Sequence, residues 1–111
     1  MTETIDEKLL RVLSAIVPDA APNLFDGDAL EYITWQYSTI PVLFAESRPH
    51  MARYLVSVHL FLPNGENPNG KKLEICQDLH AAGFTYPSIT NASDKLSQHY
   101  VFECEYADGG V

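Results

Sequence analysis

Long apolar runs, clusters of basic residues and closely spaced cysteines are all missing from this chain. No stretch approaches the ~20 apolar residues that a membrane-spanning helix needs, so the sequence predicts no membrane contact. Seven lysines and arginines stand against fifteen acidic residues, for a formal charge of −8. Because affinity for a phosphate backbone depends on several basic contacts, we expect no specific binding of nucleic acid.

The cysteine pattern argues against a disulfide framework. Cys76 and Cys104 lie far apart in sequence, and no CxxC pair is present. The first residues, "MTETIDEKLL", are acidic and polar, unlike a secretory signal. We therefore expect two free buried thiols and a protein of the cytoplasm.

Residues for metal or catalytic chemistry are also sparse. No HxxxH, CxxH or GxSxG pattern occurs, and the sequence offers no metal, cofactor or catalytic site. Asp26, Asp28 and Glu31 resemble a fragment of a calcium loop but lack its spacing. The four histidines are His50, His59, His80 and His99.

One segment imitates a nucleotide-binding motif. Gly65, four further residues, Gly70 and Lys71 match most of a P-loop between an apolar run and a helical pattern. The motif's Ser or Thr, which ligates magnesium, is replaced by Lys72, and Pro68 removes one N–H from the phosphate cradle. The segment is therefore expected to be a turn that precedes a helix.

The periodicity of apolar residues predicts two helices and four strands. Residues 5–17 have helical spacing, with a capping box from Thr4 to Glu7, and residues 71–82 form a second helix that ends at Gly83. Residues 19–28 and 39–51 are predicted as loops. The predicted strands are 29–38, 53–62, 84–90 and 98–107.

This order predicts a single α+β domain over residues 1–111. The elements follow the order α-β-β-α-β-β, with a mainly antiparallel sheet and two helices packed on one face. In the last strand, Glu103 and Glu105 fall on the face opposite Tyr100 and Phe102.

An apolar surplus in the 39–51 segment is the strongest functional signal. Such residues in a connecting segment indicate either a protein contact or a loop folded over its own sheet, and both alternatives stay open here. The candidate contact residues are Ile40, Pro41, Val42, Leu43, Phe44 and Met51.

Three stretches together give a family resemblance: "RYLVSVHLFLP", "KKLEICQDLHAAGFTYPSITN" and "QHYVFECEYADG". From about Glu31 to Asp108 the chain resembles tail-component proteins encoded in prophages of Gram-positive bacteria. It is similar to the tail-completion and tail-terminator group, which includes the lambda minor tail protein U. The resemblance rests on overall pattern, and a neck or head-completion protein would look much the same.

The resemblance implies a non-enzymatic structural protein that assembles into a homo-oligomeric ring, typically a hexamer, at the head–tail junction. Its partners would be itself and other tail or neck proteins. It would reside in the virion, and in the host cytoplasm before assembly. DNA would pass the ring without specific binding, along an acidic lumen whose candidate residues are Asp26, Asp28, Glu31, Glu103 and Glu105.

Two alternatives belong to other functional classes. The chain could be a small intracellular adaptor that binds another protein through residues 39–51 as a monomer or dimer. It could also be a nucleotide-binding domain that uses Gly65–Lys71, although the incomplete motif makes this the weakest of the three hypotheses.

Overall fold

The computed structural model describes residues 3–45 and 48–108, with side chains described for residues 3–40 and 53–107. These residues form an α+β fold with two helices and a five-stranded mixed sheet. The elements in chain order are α1 (Ile5–Ser14), β1 (Ala20–Pro22), β2 (Tyr32–Ala45), β3 (Arg48–Leu62), α2 (Asn69–Ala81), β4 (Ser88–Asn91) and β5 (Gln98–Asp108).

The strands lie in the order β1-β2-β3-β5-β4. Strand β1 pairs with β2 in parallel, and the other described pairings are antiparallel. The predicted order α-β-β-α-β-β therefore lacks one short strand, β1, which follows α1. Because β1 is parallel to β2, the sheet is mixed. Strand β3 is the centre of the sheet, because it pairs with β2 along one edge and with β5 along the other.

One face of the sheet is buried under both helices. Leu9 and Leu13 of α1 and Ile75 and Leu79 of α2 are completely buried in the same cluster. Every second residue of β2, β3 and β5 joins them, as expected where strand side chains alternate between faces. These sheet residues are Ile33, Trp35, Val56, Val58, Leu60, Leu62, Tyr100, Phe102 and Cys104.

The predicted helix ends are partly confirmed. Thr4 caps α1: its side chain accepts from the Glu7 N–H, and the Glu7 carboxylate accepts from the Thr4 N–H, which is the predicted capping box. Helix α1 ends at Ser14, earlier than predicted, because turn-type hydrogen bonds from Ile16 and Val17 to Leu13 close it. Helix α2 ends before Gly83, whose φ of 103° suits glycine alone among common residues.

A polar contact joins α1 to the sheet. The Asp6 carboxylate accepts from the Trp35 indole N–H at 2.9 Å through one oxygen and from the Tyr37 hydroxyl at 2.8 Å through the other. The hydrogen bond from the Tyr37 hydroxyl to Asp6, and secondly burial, raises the pKa of that hydroxyl. The contact fixes α1 over β2, because it satisfies the one polar atom of the buried Trp35 side chain.

Three boundary predictions are wrong. The predicted loop 19–28 contains β1, which pairs with β2 through Ala20 and Ile33. The predicted strand 84–90 is reduced to Ser88–Asn91, because Phe84 is buried in the core and only the later residues pair with β5. The predicted loop 39–51 is the largest difference: β2 and β3 continue through most of it.

Candidate interaction surface

The extended β2–β3 hairpin forms an arm, defined as residues 40–45 and 48–53. Strand β5 follows β3 only as far as the pair Ala52–Asp108 in the described chain. Past that pair, β2 and β3 pair with each other as far as Ala45 and Arg48. The four residues from Ala52 to Arg48 span about 13 Å of strand, so the arm projects well past the rest of the sheet. The molecule is accordingly elongated, with extents of 54 × 25 × 22 Å.

The backbone of the arm is irregular in a way that its prolines explain. The pairing shifts at Val42 and again between Pro49 and Met51, which leaves Val42 and His50 without a direct partner. Proline cannot donate to a ladder and is accepted at bulges and edges. β-Branched and aromatic residues of the arm favour the strand conformation, which is a physical reason for β2 to continue to Ala45 and for β3 to begin at Arg48.

The predicted contact residues all lie in this arm. Ile40 is half-buried at its base, opposite Arg53. The backbones of Pro41, Val42, Leu43, Phe44 and Met51 belong to the two strands of the arm, while their side chains fall outside the described set.

Within residues 3–40 and 53–107, the second face of the sheet, which we call the open face, contributes no residue to the buried hydrophobic core. Neither described helix packs there, since the buried residues of both join the core on the other side. The residues of the open face are Tyr32, Thr34, Gln36, Ser38, Leu55, Ser57, His59, Phe61, His99, Val101, Glu103 and Glu105.

One end of the open face carries a row of stacked rings. The ring centroids of Phe25 and Tyr32 are 4.8 Å apart, those of Tyr32 and Phe61 4.5 Å, and those of Phe61 and His99 4.2 Å. Nδ1 of His59 lies 2.8 Å from Nε2 of His99, at hydrogen-bond distance. The row joins β2, β3 and β5, and such ring pairs stabilise a sheet beyond the area that they bury.

The surroundings of both histidines favour the neutral form of the imidazole. Burial, and secondly the neighbouring His99, lowers the pKa of His59, while burial also lowers the pKa of His99. At neutral pH one imidazole therefore donates its N–H to the other. Within residues 3–40 and 53–107, no group of three His, Cys, Asp or Glu side chains is arranged to hold a metal ion.

A shallow trough of about 480 Å³ occupies the middle of the open face, towards the arm. Its floor is low because Ser38 and Ser57 have small side chains, and Glu103 and Glu105 stand along β5. The trough crosses the strands, since Ser57 pairs with Glu103 and Leu55 with Glu105. The residues that line it are Ser38, Leu55, Val56, Ser57, Thr85, Ser88, Glu103, Cys104 and Glu105.

The predicted acidic residues lie in two separate places. Asp26 and Asp28 are exposed in the connection before β2, and Glu31 forms an ion pair with Lys71 at 3.0 Å. Glu103 and Glu105 share the open face, as their spacing predicted. They lie four and six residues along β5 from His99, which is level with the start of β2, or roughly 13 and 20 Å away along the strand. The structure therefore does not bring the two sets together.

The segment that imitates a P-loop is tied to the rest of the chain. Gly70 and Lys71 belong to the first turn of α2. The Lys71 ammonium pairs with Glu31, and the Lys72 ammonium lies 4.5 Å from the centre of the Tyr100 ring. Both lysines therefore contact groups of their own domain.

Both thiols are free and buried, as the sequence predicted. Burial raises the pKa of Cys76. It is also the largest cause that raises the pKa of Cys104, to about 12. A thiol that stays protonated is a poor nucleophile, so burial lowers the reactivity of both side chains in the folded protein.

Sequence reasoning missed the His59–His99 pair and the Asp6 contact. His59 and Phe61 have the opposite phase to the apolar core residues of β3, which places them on the other face. The alternation along β3 could have shown that His59 lies on the face away from the core. Its partner His99 lies on β5, and this contact follows only from the register between the two strands. No helix among residues 3–45 and 48–108 is long and apolar enough to span a membrane.

Comparisons with known proteins show the fold alone. No protein-family model matches the chain, and no curated protein matches its sequence. A solved structure, of a protein whose name states no function, resembles it with a TM-score of 0.59 over 93% of this chain and 88% of the other. The two sequences are 12% identical, and at this level the likeness shows a shared α+β architecture and carries no information on activity.

Proposed function

We propose that this protein is a non-enzymatic structural subunit of a phage tail, which assembles into a ring at the head–tail junction. The observation that carries the proposal is the projecting arm. The sequence resemblance to tail-completion proteins supplies the biological setting, and the arm supplies a physical means of assembly.

An arm of two strands is poorly stabilised by itself. An isolated hairpin in water is marginally stable at best, and burial against a third element is what normally holds it. Val42, Leu43 and Phe44 add apolar side chains to this thin element. A contact with another protein would bury them, and apolar and aromatic residues are typical of the centre of such contacts.

Ring assembly requires a heterologous contact, in which two different surfaces of the subunit meet. The arm and the open face are different surfaces of the same chain. A molecule with one projecting element and one face outside its own core has the two halves that such a contact needs.

Passage of DNA through the ring would require a lumen without affinity for phosphate. Asp26 and Asp28 are exposed at the end of the sheet opposite the arm, and we place them towards the lumen. Glu31 and Glu105 each have a basic neighbour, Lys71 and Arg53 respectively, so their charges are partly neutralised.

Light scattering behind size exclusion, over a wide range of protein concentration, tests the proposal. A mass that rises from 12.4 kDa to a closed multiple, with rings in electron micrographs, is the expected result. Leu43→Asp should raise the concentration needed for assembly about tenfold or more, because burial of an unpaired charge costs several kcal/mol.

Leu96→Asp is the matched control, because Leu96 is 89% exposed in the β4–β5 turn at the end opposite the arm. Assembly should be unchanged in this variant. A mass that stays at one subunit at every concentration, with or without purified tail tube, would refute ring assembly. It would favour the adaptor hypothesis, in which the arm binds a different protein.

A further inference from the structure

We propose that the outer edge of β2 accepts an extended segment of another protein as an added strand, and that a cavity beside this edge receives a basic side chain of that segment. The inference goes beyond the proposed function, because it does not depend on ring assembly. The site is called the β2 edge and is defined as residues 36–39.

The β2 edge is left without a partner strand where β1 ends. The last pair of β1 with β2 is Pro22–Trp35, and Asn23, with a φ of 65°, turns the chain away from β2. Within residues 3–45 and 48–108, no other strand pairs with β2 on this side. Since β2 continues to Ala45, its outer side is uncovered from Gln36 onward.

The direction of the free main-chain groups follows from the last hydrogen bond to β1. The Trp35 carbonyl accepts from the Asn23 N–H, so Trp35 directs its main-chain groups towards β1. Successive residues of a paired strand direct these groups to opposite sides. Tyr37 and Thr39 therefore direct two N–H and two C=O groups outward, where no main-chain group of the described residues meets them. One more strand would form its ladder with these four groups.

The composition of the β2 edge does not protect it against such pairing. Natural edge strands are commonly blocked by lysine, proline or a bulge. Residues 36–39 include neither Lys nor Pro, and their pairing with β3 is regular. Pro22 and Pro41 stand on either side, and because proline has no N–H to donate, they limit an added strand to this short segment.

A cavity of about 280 Å³ opens beside the β2 edge, at the point where β1 ends. Its lining residues are Asp6, Pro22, Asn23, Trp35, Gln36 and Tyr37. Because the side chains of a strand alternate between the two faces, an added strand places one of them on the helical side, beside this cavity. In strand addition, main-chain hydrogen bonds supply the affinity, and cavities for alternate side chains supply the selectivity.

The Asp6 carboxylate makes the cavity selective for a basic side chain. Its two described partners, the Trp35 indole N–H and the Tyr37 hydroxyl, are neutral donors and leave its charge in place. No Lys or Arg of residues 3–40 and 53–107 lies within ion-pair distance of it. A carboxylate oxygen that accepts one hydrogen bond can accept another. An ammonium or guanidinium group would donate a charge-assisted bond here, which is stronger than a neutral one.

A second copy of this chain is poorly suited to supply the strand. Strands β1, β2 and β4, which have an open side, contain no Lys or Arg. The uncovered residues 48–51 of β3 include Arg48, but their pairing is irregular, which makes them a poor template for a regular ladder. Two copies of charge −8 also repel one another. The charge of the site therefore fits a basic segment of a different protein.

A library of random octapeptides displayed on yeast is the probe for this site. The enriched sequences should contain a Lys or Arg flanked by residues that favour strands. The most enriched peptide is then synthesised and added to the protein. Hydrogen exchange of the Tyr37 and Thr39 amides should slow by about tenfold or more, because the added strand protects their outward N–H groups.

A proline substitution tests the main-chain pairing. Thr39→Pro removes one outward N–H and should weaken binding about tenfold or more, while the strand keeps its bonds to β3. Ile89→Pro is the matched control on the opposite edge strand, β4. The Ala92 N–H donates to the His99 carbonyl of β5, and Ile89, with the opposite phase, directs its own N–H away from β5. Binding should be unchanged in this control.

Asp6→Asn tests the cavity, because it removes the charge and keeps an acceptor for Trp35. The selected peptide should lose about fivefold or more in affinity for this variant. The same peptide with norleucine in place of its basic residue should bind both proteins equally. Equal affinity of the basic peptide for both proteins would contradict the role of Asp6.

Two other results would overturn the strand addition. One is a library that yields no enriched sequence, or peptides whose binding Thr39→Pro leaves unchanged. The other is self-association of the chain, measured by light scattering, that Thr39→Pro abolishes, since this would assign the β2 edge to a second copy.

Discussion

Removal of the Asp6 carboxylate is the sharpest test of how the helical layer is held to the sheet. In Asp6→Ala, the Trp35 indole N–H loses its acceptor at 2.9 Å, and the Tyr37 hydroxyl loses its acceptor at 2.8 Å. The Trp35 side chain is 1% exposed, so water cannot easily replace the carboxylate there. The Tyr37 hydroxyl is half-buried and can turn towards solvent.

The expected cost follows from these two bonds. A buried donor left without a partner costs about 1–3 kcal/mol, and a hydrogen bond to a charged group contributes about 1.5–3 kcal/mol. Because the Tyr37 hydroxyl is only half-buried, we take about 3 kcal/mol for the loss of both bonds. An unfolding entropy of ~2.1 cal/mol/K per residue converts this to a decrease in Tm of roughly 13 °C.

Urea denaturation followed by tryptophan fluorescence measures this cost, since Trp35 is the one tryptophan of the chain. Asp6→Asn is the matched variant: its amide oxygen still accepts from Trp35, and its NH₂ can donate to the Tyr37 oxygen. We expect a loss of about 1 kcal/mol for it. If Asp6→Ala loses no more than Asp6→Asn, the two hydrogen bonds do not hold α1 and the reasoning is refuted.

Two further predictions concern the titratable groups. The pKa values of His59 and His99 are lower in the folded protein, so the unfolded chain binds more protons and stability should fall as the pH drops below about 6.5. His99→Gln should flatten this dependence in urea titrations between pH 7.5 and 5.5; an unchanged slope would contradict the role of the pair. Iodoacetamide at pH 8 should modify Cys76 and Cys104 no faster than the chain unfolds, because burial raises both thiol pKa values. Rapid labelling at low urea, checked by mass spectrometry, would show that the core opens locally.

Local signals were sufficient for the elements that are fixed by neighbours in sequence. The capping box of Thr4 and Glu7 and the left-handed Gly83 depend on contacts within one turn, and the sequence identified both ends. The alternation in β5 predicted which face holds Glu103, because strand side chains alternate regardless of partners.

The missed features depend on partners that are distant in sequence. Strand β1 has three residues and no apolar period of its own, and it becomes a strand only beside Ile33 of β2. The arm was predicted as a loop because it lies between two predicted strands. It contains Pro41 and Pro49, which bulges let a hairpin accommodate. The hydrogen bond between His59 and His99 joins residues forty apart, and no local pattern predicts it.

The sequence by itself therefore determined the α+β class, the two helices, the apolar character of the 40–51 segment and the acidic charge. These properties follow from composition and short-range periodicity, which need no knowledge of long-range pairing. Only the tertiary structure decided that this segment projects as an arm, that Glu103 lines a trough, and that both helices leave one face outside the core. The register between strands decides these features, and it is set by the packing of the whole core.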